Sequence, residues 1–270
     1  MLKIFDRKSI IISKNKAFKN WEKSNFLFKY VSSDVAEKVL ELGDYFKNIL
    51  LVTADAYEIF EKIQKIKNNQ IFFLSEYSKL FNLIKTKKSS EHIILSDFEN
   101  IMVKNIKFDL IICNLCLHKI NDISSFLKKL NHLSKNKGLL ICTYFGGKSL
   151  SELRNTLIRT DEIIKNRIYQ RVIPLIDMID ATNMFKNAGF EEIITDKSSI
   201  KVKYKNLRSL LIDIRNMGEN NSLTNRPKGL ISYNYFKRAE KFYKDFYSDN
   251  DNKLLATCDI ISLTMWNKGI

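Results

Sequence analysis

One run of seven residues limits the fold of this chain more than any other feature. Phe108-Asp109-Leu110-Ile111-Ile112-Cys113-Asn114 is almost continuously apolar, without the alternation of a half-solvated strand. A strand that is apolar on both faces needs cover on both faces, as a central strand of a parallel sheet has. Its neighbours repeat the theme. Residues 48–53, Ile71 to Leu74, His92 to Leu95 and Gly138 to Phe145 read as further short strands. A helix is expected near residues 55–66, and Ile123, Phe126, Leu127, Leu130 and Leu133 recur at helical spacing in another. Alternation of this kind predicts an α/β, doubly wound, mostly parallel sheet. Right-handed crossovers then put the ligand cleft at the carboxyl ends of the strands.

The second half has a different rhythm. Ser149-Leu150-Ser151-Glu152 has the spacing of a capping box, starting a helix with Leu150, Leu153, Leu157 and Ile158 inside. Asp177 to Ala188 reads as a helix stopped by Gly189. A strand is expected near 191–203, then a helix bearing Leu207, Leu210, Leu211, Ile214 and Met217, and a polar, aromatic-laced helix over 231–247. The last strand runs from Thr257 to Trp266. With eight glycines and two prolines there is no linker to divide the 270 residues, so a single domain is expected.

No apolar run approaches the roughly 20 residues of a membrane span. The basic start Met1-Leu2-Lys3-Ile4-Phe5-Asp6-Arg7-Lys8 lacks the apolar stretch of a secretory signal. The four cysteines are expected as reduced thiols in a cytoplasmic protein. Cys113-x-x-Cys116 has a metal or redox spacing, but it sits at the end of an apolar strand with no second pair, which favours buried thiols. The net charge is +15, carried mostly by lysine, and eight basic residues face two acidic ones in the first thirty. Such a field suits an acidic protein partner or an anionic membrane face. No nucleic-acid-binding motif accompanies it.

Several segments resemble one family. They are Ile4-Phe5-Asp6-Arg7; Phe108-Asp109-Leu110 through Leu115-x-Leu117-His118-x-Ile120-Asn121-Asp122; Phe145-Gly146-Gly147-x-Ser149-Leu150-x-Glu152-Leu153-Arg154; Ala188-Gly189-Phe190; Met217-Gly218-Glu219-x-Asn221; and Ala256-Thr257 to Trp266. In this order they resemble class I methyltransferase-fold proteins, the group of malonyl-ACP O-methyltransferases and of the arginine-hydroxylase assembly factor of respiratory complex I. The resemblance implies a Rossmann-like seven-stranded sheet with one antiparallel strand, the last. It also implies an N-terminal helical cap over residues 1–45, a nucleotide-binding-type half over 46–147, and a C-terminal half with a helical insert at about 205–250.

The implied cofactor is S-adenosylmethionine (SAM), and here the chain departs from the pattern. Leu51 stands where an acid is expected, and Thr53, Asp55 and Tyr57 stand where glycines let the backbone approach the cofactor. The second strand ends in Ser75, with Glu76 late for the acid that grips the ribose. Asp97 matches the acid that contacts the adenine amine, Phe98 is placed to stack on the ring, and Asn114 ends the fourth strand. The resemblance thus implies Thr53, Asp55, Ser75, Asp97, Phe98 and Asn114 as the cofactor-binding set, with SAM binding weakened or lost.

Methyl transfer to a carboxylate would ask mainly for alignment of the reactants. Arg154 or Arg215 would suit a carboxylate, His118 acid–base work, and Glu219 a substrate or partner loop. The three histidines show no facial-triad spacing, and no metal site is assigned. Three readings follow. The first is an enzyme, methylating a carrier-bound acyl group or hydroxylating an arginine of a complex I subunit. The second is a non-catalytic assembly or binding protein. The third, a nucleic-acid methyltransferase, lacks a target-base motif. The lost glycines weigh against methyl transfer, and the FGG and MGE segments favour the complex I branch over the acyl carrier protein.

Overall fold

The structure is a computed structural model that describes residues 3–43, 45–54, 56–64, 66, 69–79, 92–103 and 105–269, the side chains of Ala56 and Tyr57 apart. Seven strands form one sheet in the order β3-β2-β1-β4-β5-β7-β6. They are β1 (Asn48–Thr53), β2 (Gln70–Ser75), β3 (His92–Leu95), β4 (Phe108–Asn114), β5 (Ser134–Phe145), β6 (Phe190–Tyr204) and β7 (Leu254–Asn267). The first five run parallel, and β7 is antiparallel to both β5 and β6. The sheet is therefore the mixed, mostly parallel one expected.

β4 earns its central place by composition. Leu110, Ile111, Ile112 and Cys113 are all without exposure, paired to β1 on one side and β5 on the other. The order of strands reverses between β1 and β4, so the cleft for a ligand lies at their carboxyl ends, Thr53 and Asn114.

Three helices precede the sheet: α1 (Arg7–Ala17), α2 (Trp21–Ser24) and α3 (Phe26–Glu41). In α1 the buried residues are Ile10, Lys14 and Ala17, one stripe at helical spacing with a lysine in its middle. α3 packs on α4 (Ala56–Ile63), and α5 (Ile123–Leu133) connects β4 to β5. The C-terminal half adds α6 (Ser151–Lys165), α7 (Met178–Asn187) and, between β6 and β7, the insert helices α8 (Leu207–Asn216) and α9 (Tyr233–Tyr247). Leu153 and Leu157 of α6 meet Leu207 and Leu210 of α8 and Tyr235, Ala239 and Tyr243 of α9 in a second core, separate from the one around the sheet.

Two expectations are corrected. β5 starts at Ser134, four residues before Gly138, because Ser134 pairs with Phe108 across an irregularity in the ladder. The capping box at Ser149 does not form. Leu150, in the left-handed region at φ +54°, precedes α6 without a side-chain cap. Ser149 instead exchanges hydrogen bonds with the backbone of Asp259, its hydroxyl donating at 3.0 Å and accepting at 2.9 Å. Glu152 accepts from the Thr257 backbone and hydroxyl. Both side chains are spent on β7, which ties α6 to the sheet.

Candidate functional site

A cavity of about 340 Å³ lies between the sheet and the helical insert. Its walls are mostly apolar, with Leu27, Leu153, Val172, Leu210, Ile214 and Phe145 among them, and His118 and Glu219 contribute the polar side. The local chain explains how Glu219 gets there. α8 ends in a Schellman turn, with the Gly218 N–H donating to Arg215 O at 3.0 Å and the Glu219 N–H to Ile214 O at 2.9 Å. Gly218 has φ +69°, and a Cβ there would stand 2.9 Å from the Lys14 Cα. Only glycine satisfies both the turn and the close approach of α1.

Glu219 then becomes the centre of a buried knot. Its Oε1 accepts from Lys14 Nζ at 2.7 Å, and its Oε2 lies 2.6 Å from Lys119 Nζ and 3.0 Å from His118 Nε2. Lys14 Nζ also donates to Met217 O at 2.7 Å and lies over the rings of Trp21 and Phe28. Lys119 Nζ donates to Gly218 O at 2.9 Å. Burial pushes the Glu219 carboxyl up, but the charges of Lys119 and Lys14 overcome it and hold the group well below the usual carboxylate range. Burial likewise pushes His118 down despite the pull of Glu219. At neutral pH the imidazole is therefore neutral beside an ionised carboxylate. Its proton sits on Nε2, and Nδ1, buried and without a hydrogen-bond partner, is left as an acceptor. The carboxylate thus fixes the tautomer and the orientation of the imidazole in the cavity wall.

The cavity also meets three arginines, of which two are engaged. Arg171 makes a two-pronged pair with Asp161 at 2.7 and 2.8 Å, and Arg226 reaches Asp6 at 3.1 Å. Arg215 is exposed at the cavity, and no carboxylate among the described residues lies within ion-pair distance of it. Arg154 does not line the cavity; its guanidinium donates to Gly147 O at 3.4 Å. Of the predicted catalytic candidates, then, the fold brings His118 and Glu219 together and places Arg154 apart. Lys14 and Lys119 were missed. The signal for Lys14 was present, since it interrupts the apolar stripe of α1.

The predicted cofactor set collects at the carboxyl ends of β1 to β4. Thr53 and Asn114 have no exposure, and Asn114 is bonded to Ser32 at 3.0 Å and Thr143 at 2.5 Å. Ser75 is buried and accepts from the Tyr77 N–H at 3.1 Å. Phe98 is buried, edge-on to Tyr77 at 5.8 Å. Asp97 is half exposed and bonds the Glu99 N–H at 2.8 Å. Asp55 and the Tyr57 side chain lie outside the described residues. Glu76 directly follows β2 and is buried, with its Oε2 on Arg7 Nη2 and on the Phe98 N–H at 3.3 Å. The same Arg7 nitrogen donates to Asp97 Oδ1 at 3.1 Å. Asp97, expected at the adenine, and Glu76, just past the ribose position, are thus already engaged by the chain itself. Cys113 and Cys116 are buried thiols 3.1 Å apart; the contact with Cys116 lowers Cys113, but the bond to Cys142 and burial outweigh it, and burial raises Cys116.

The sequence profile of a methyltransferase domain matches residues 25–195. The chain belongs to that methyltransferase domain family. Among its relatives, the mitochondrial arginine-hydroxylase NDUFAF5 of Danio rerio is 26% identical over 272 residues, 98% of this chain and 83% of its own. The human protein of that name is 28% identical over 98% of this chain and 77% of its own. A malonyl-[acyl-carrier protein] O-methyltransferase of Halorhodospira halophila is 24% identical over 65% of this chain and 58% of its own. Among solved structures, the YcgJ protein of Bacillus subtilis superimposes with TM-score 0.59 at 9% identity, over 88% of this chain and all of its own. The [4+2]-cyclase SpnF does so with TM-score 0.52 at 12% identity, over 88% of this chain and 82% of its own. These likenesses establish a methyltransferase fold, one that carries more than one chemistry. Among the described residues no helix is long and apolar enough to cross a membrane.

Proposed function

We propose that this methyltransferase-domain protein serves the assembly of respiratory complex I by holding a segment of an acidic complex I subunit in the cavity between sheet and insert. The observation that carries this reading is the alignment with the arginine-hydroxylases, which runs through 98% of this chain and includes the insert that walls the cavity. The His118–Glu219 pair, set in a mostly apolar wall, supports recognition of a polar side chain of that segment. The charge of +15 supports an acidic partner and a peripheral position at an anionic membrane face.

SAM is the cofactor that the fold suggests, and the described residues at its expected place do not make a grip for it. The turn after β1 has lost its glycines, and Glu76 and Asp97 are both bonded to Arg7. No step is therefore routed through SAM. A second reading, an active O-methyltransferase on malonyl-acyl carrier protein, is favoured by one observation: Arg215 at the cavity has no acidic partner among the described residues and would take a carboxylate.

Deletion of the gene in its host, with native-gel quantification of complex I, tests the proposal. Loss of assembled complex I, restored by the natural chain, is expected, and His118→Gln should restore it poorly. Mass spectrometry of the purified complex then shows whether one arginine gains an oxygen in a chain-dependent manner. Normal complex I in the deletion strain sinks the reading. Label transfer from methyl-labelled SAM to malonyl-acyl carrier protein would establish the alternative.

A further inference from the structure

We propose that Arg7 occupies the nucleoside subsite of this fold, as a resident cation that shuts out adenosyl ligands. The argument is geometric. One guanidinium spans the loops after three parallel strands, reaching Glu76 after β2, Asp97 and Glu99 after β3, and the Lys119 carbonyl after β4 at 3.2 Å. Glu76, the acid next after the strand end that the resemblance gives to the ribose, and Asp97, which it gives to the adenine, converge on a single nitrogen, Nη2. In a complex, the two acids would contact opposite ends of a nucleoside. Two carboxylates that share one nitrogen have no nucleoside between them.

The arginine is also anchored, so its position is not that of a free surface side chain. The Phe5 N–H donates to Asn121 Oδ1 at 2.7 Å, and the Asn121 amide donates back to Phe5 O at 3.2 Å. The Asp6 N–H donates to Ser222 O at 2.8 Å, and Phe5 forms a bridge with Leu223. Asp6 caps α1 through the Ser9 N–H, and Lys14, two turns on, is tied to Glu219. Glu76, nine-tenths buried, would be a bare charge without its partner, which is why the pair holds.

This inference deepens the reading of the cofactor site and stands apart from the complex I assay, whose failure would leave it untouched. The test is calorimetric titration of S-adenosylhomocysteine into the natural chain, into Arg7→Ala, and into the double variant Arg7→Met/Glu76→Gln. The double variant removes both buried charges together and guards against misfolding of the single one. Circular dichroism confirms that each is folded. The natural chain is expected to show no binding at millimolar ligand, and a folded variant to bind at least about tenfold more tightly. Micromolar binding by the natural chain overturns the proposal. So does a folded variant whose affinity is no better than that of the natural chain.

Discussion

At the scale of single residues, the Glu219 knot is the most consequential arrangement in the molecule. Its members come from positions 14, 118, 119 and 219, and two lysines that would be solvated in an unfolded chain are enclosed around one carboxylate. Removing one partner of such a group leaves charges buried without compensation. Glu219→Gln is expected to lower unfolding stability by about 3–5 kcal/mol at neutral pH, measured by urea denaturation. The native carboxyl titrates well below 4.5. The difference between the two proteins should therefore be complete above that pH and vanish as the pH falls through the depressed native value. His118 predicts a second acid-side effect. The unfolded imidazole binds a proton near 6.5 and the native one resists it, so folding stability is level above 6.5 and declines below. In His118→Asn the slope of Tm against pH between about 6.5 and 5 should be shallower than in the natural chain.

At the scale of elements, the strands were legible and the knot was not, for one physical reason. β1, β3 and β4 lie where the sequence reading put them because a run of apolar residues declares its burial locally. The failed capping box shows the limit. Ser149 and Glu152 have the right spacing, but their side chains find better partners about 110 residues away in β7. The cavity site was half legible, since His118 and Glu219 were candidates while their contact, across 101 residues, belongs to the fold. At the cofactor end the sequence shows which glycines are replaced, and Arg7 was visible only as part of a family segment. Gly218 offers an element-scale test, because the stop of α8 and the seating of α1 meet there. Gly218→Ala should cost about 1–3 kcal/mol from the left-handed backbone alone, with more from the approach to Lys14. Thermal melts should show the loss, whereas Gly147→Ala, where a Cβ would meet only Leu175 O at 4.0 Å, should lose less.

At the scale of the whole molecule, charge and topology lead to separate predictions. A net charge of +15 should accelerate encounter with an acidic partner through long-range attraction. Raising the ionic strength well beyond 0.1 M, where the Debye length is about 10 Å, should slow association markedly and leave dissociation almost unchanged in stopped-flow measurements. The sheet makes its own demand. β7 fills the slot between β5 and β6, and β6 lies at the sheet edge with β7 as its neighbour. During synthesis, all fifteen residues of β6 leave the ribosome before the strand that will seat them exists. Until then the nascent chain carries a long strand with both edges open and the exposed flank of β5 beside it, the state in which intermolecular pairing competes with folding. The protein is thus committed to closing its architecture late and all at once. A cell that makes it needs to shelter β6 for the time it takes to translate the 49 residues, 205–253, that separate it from β7.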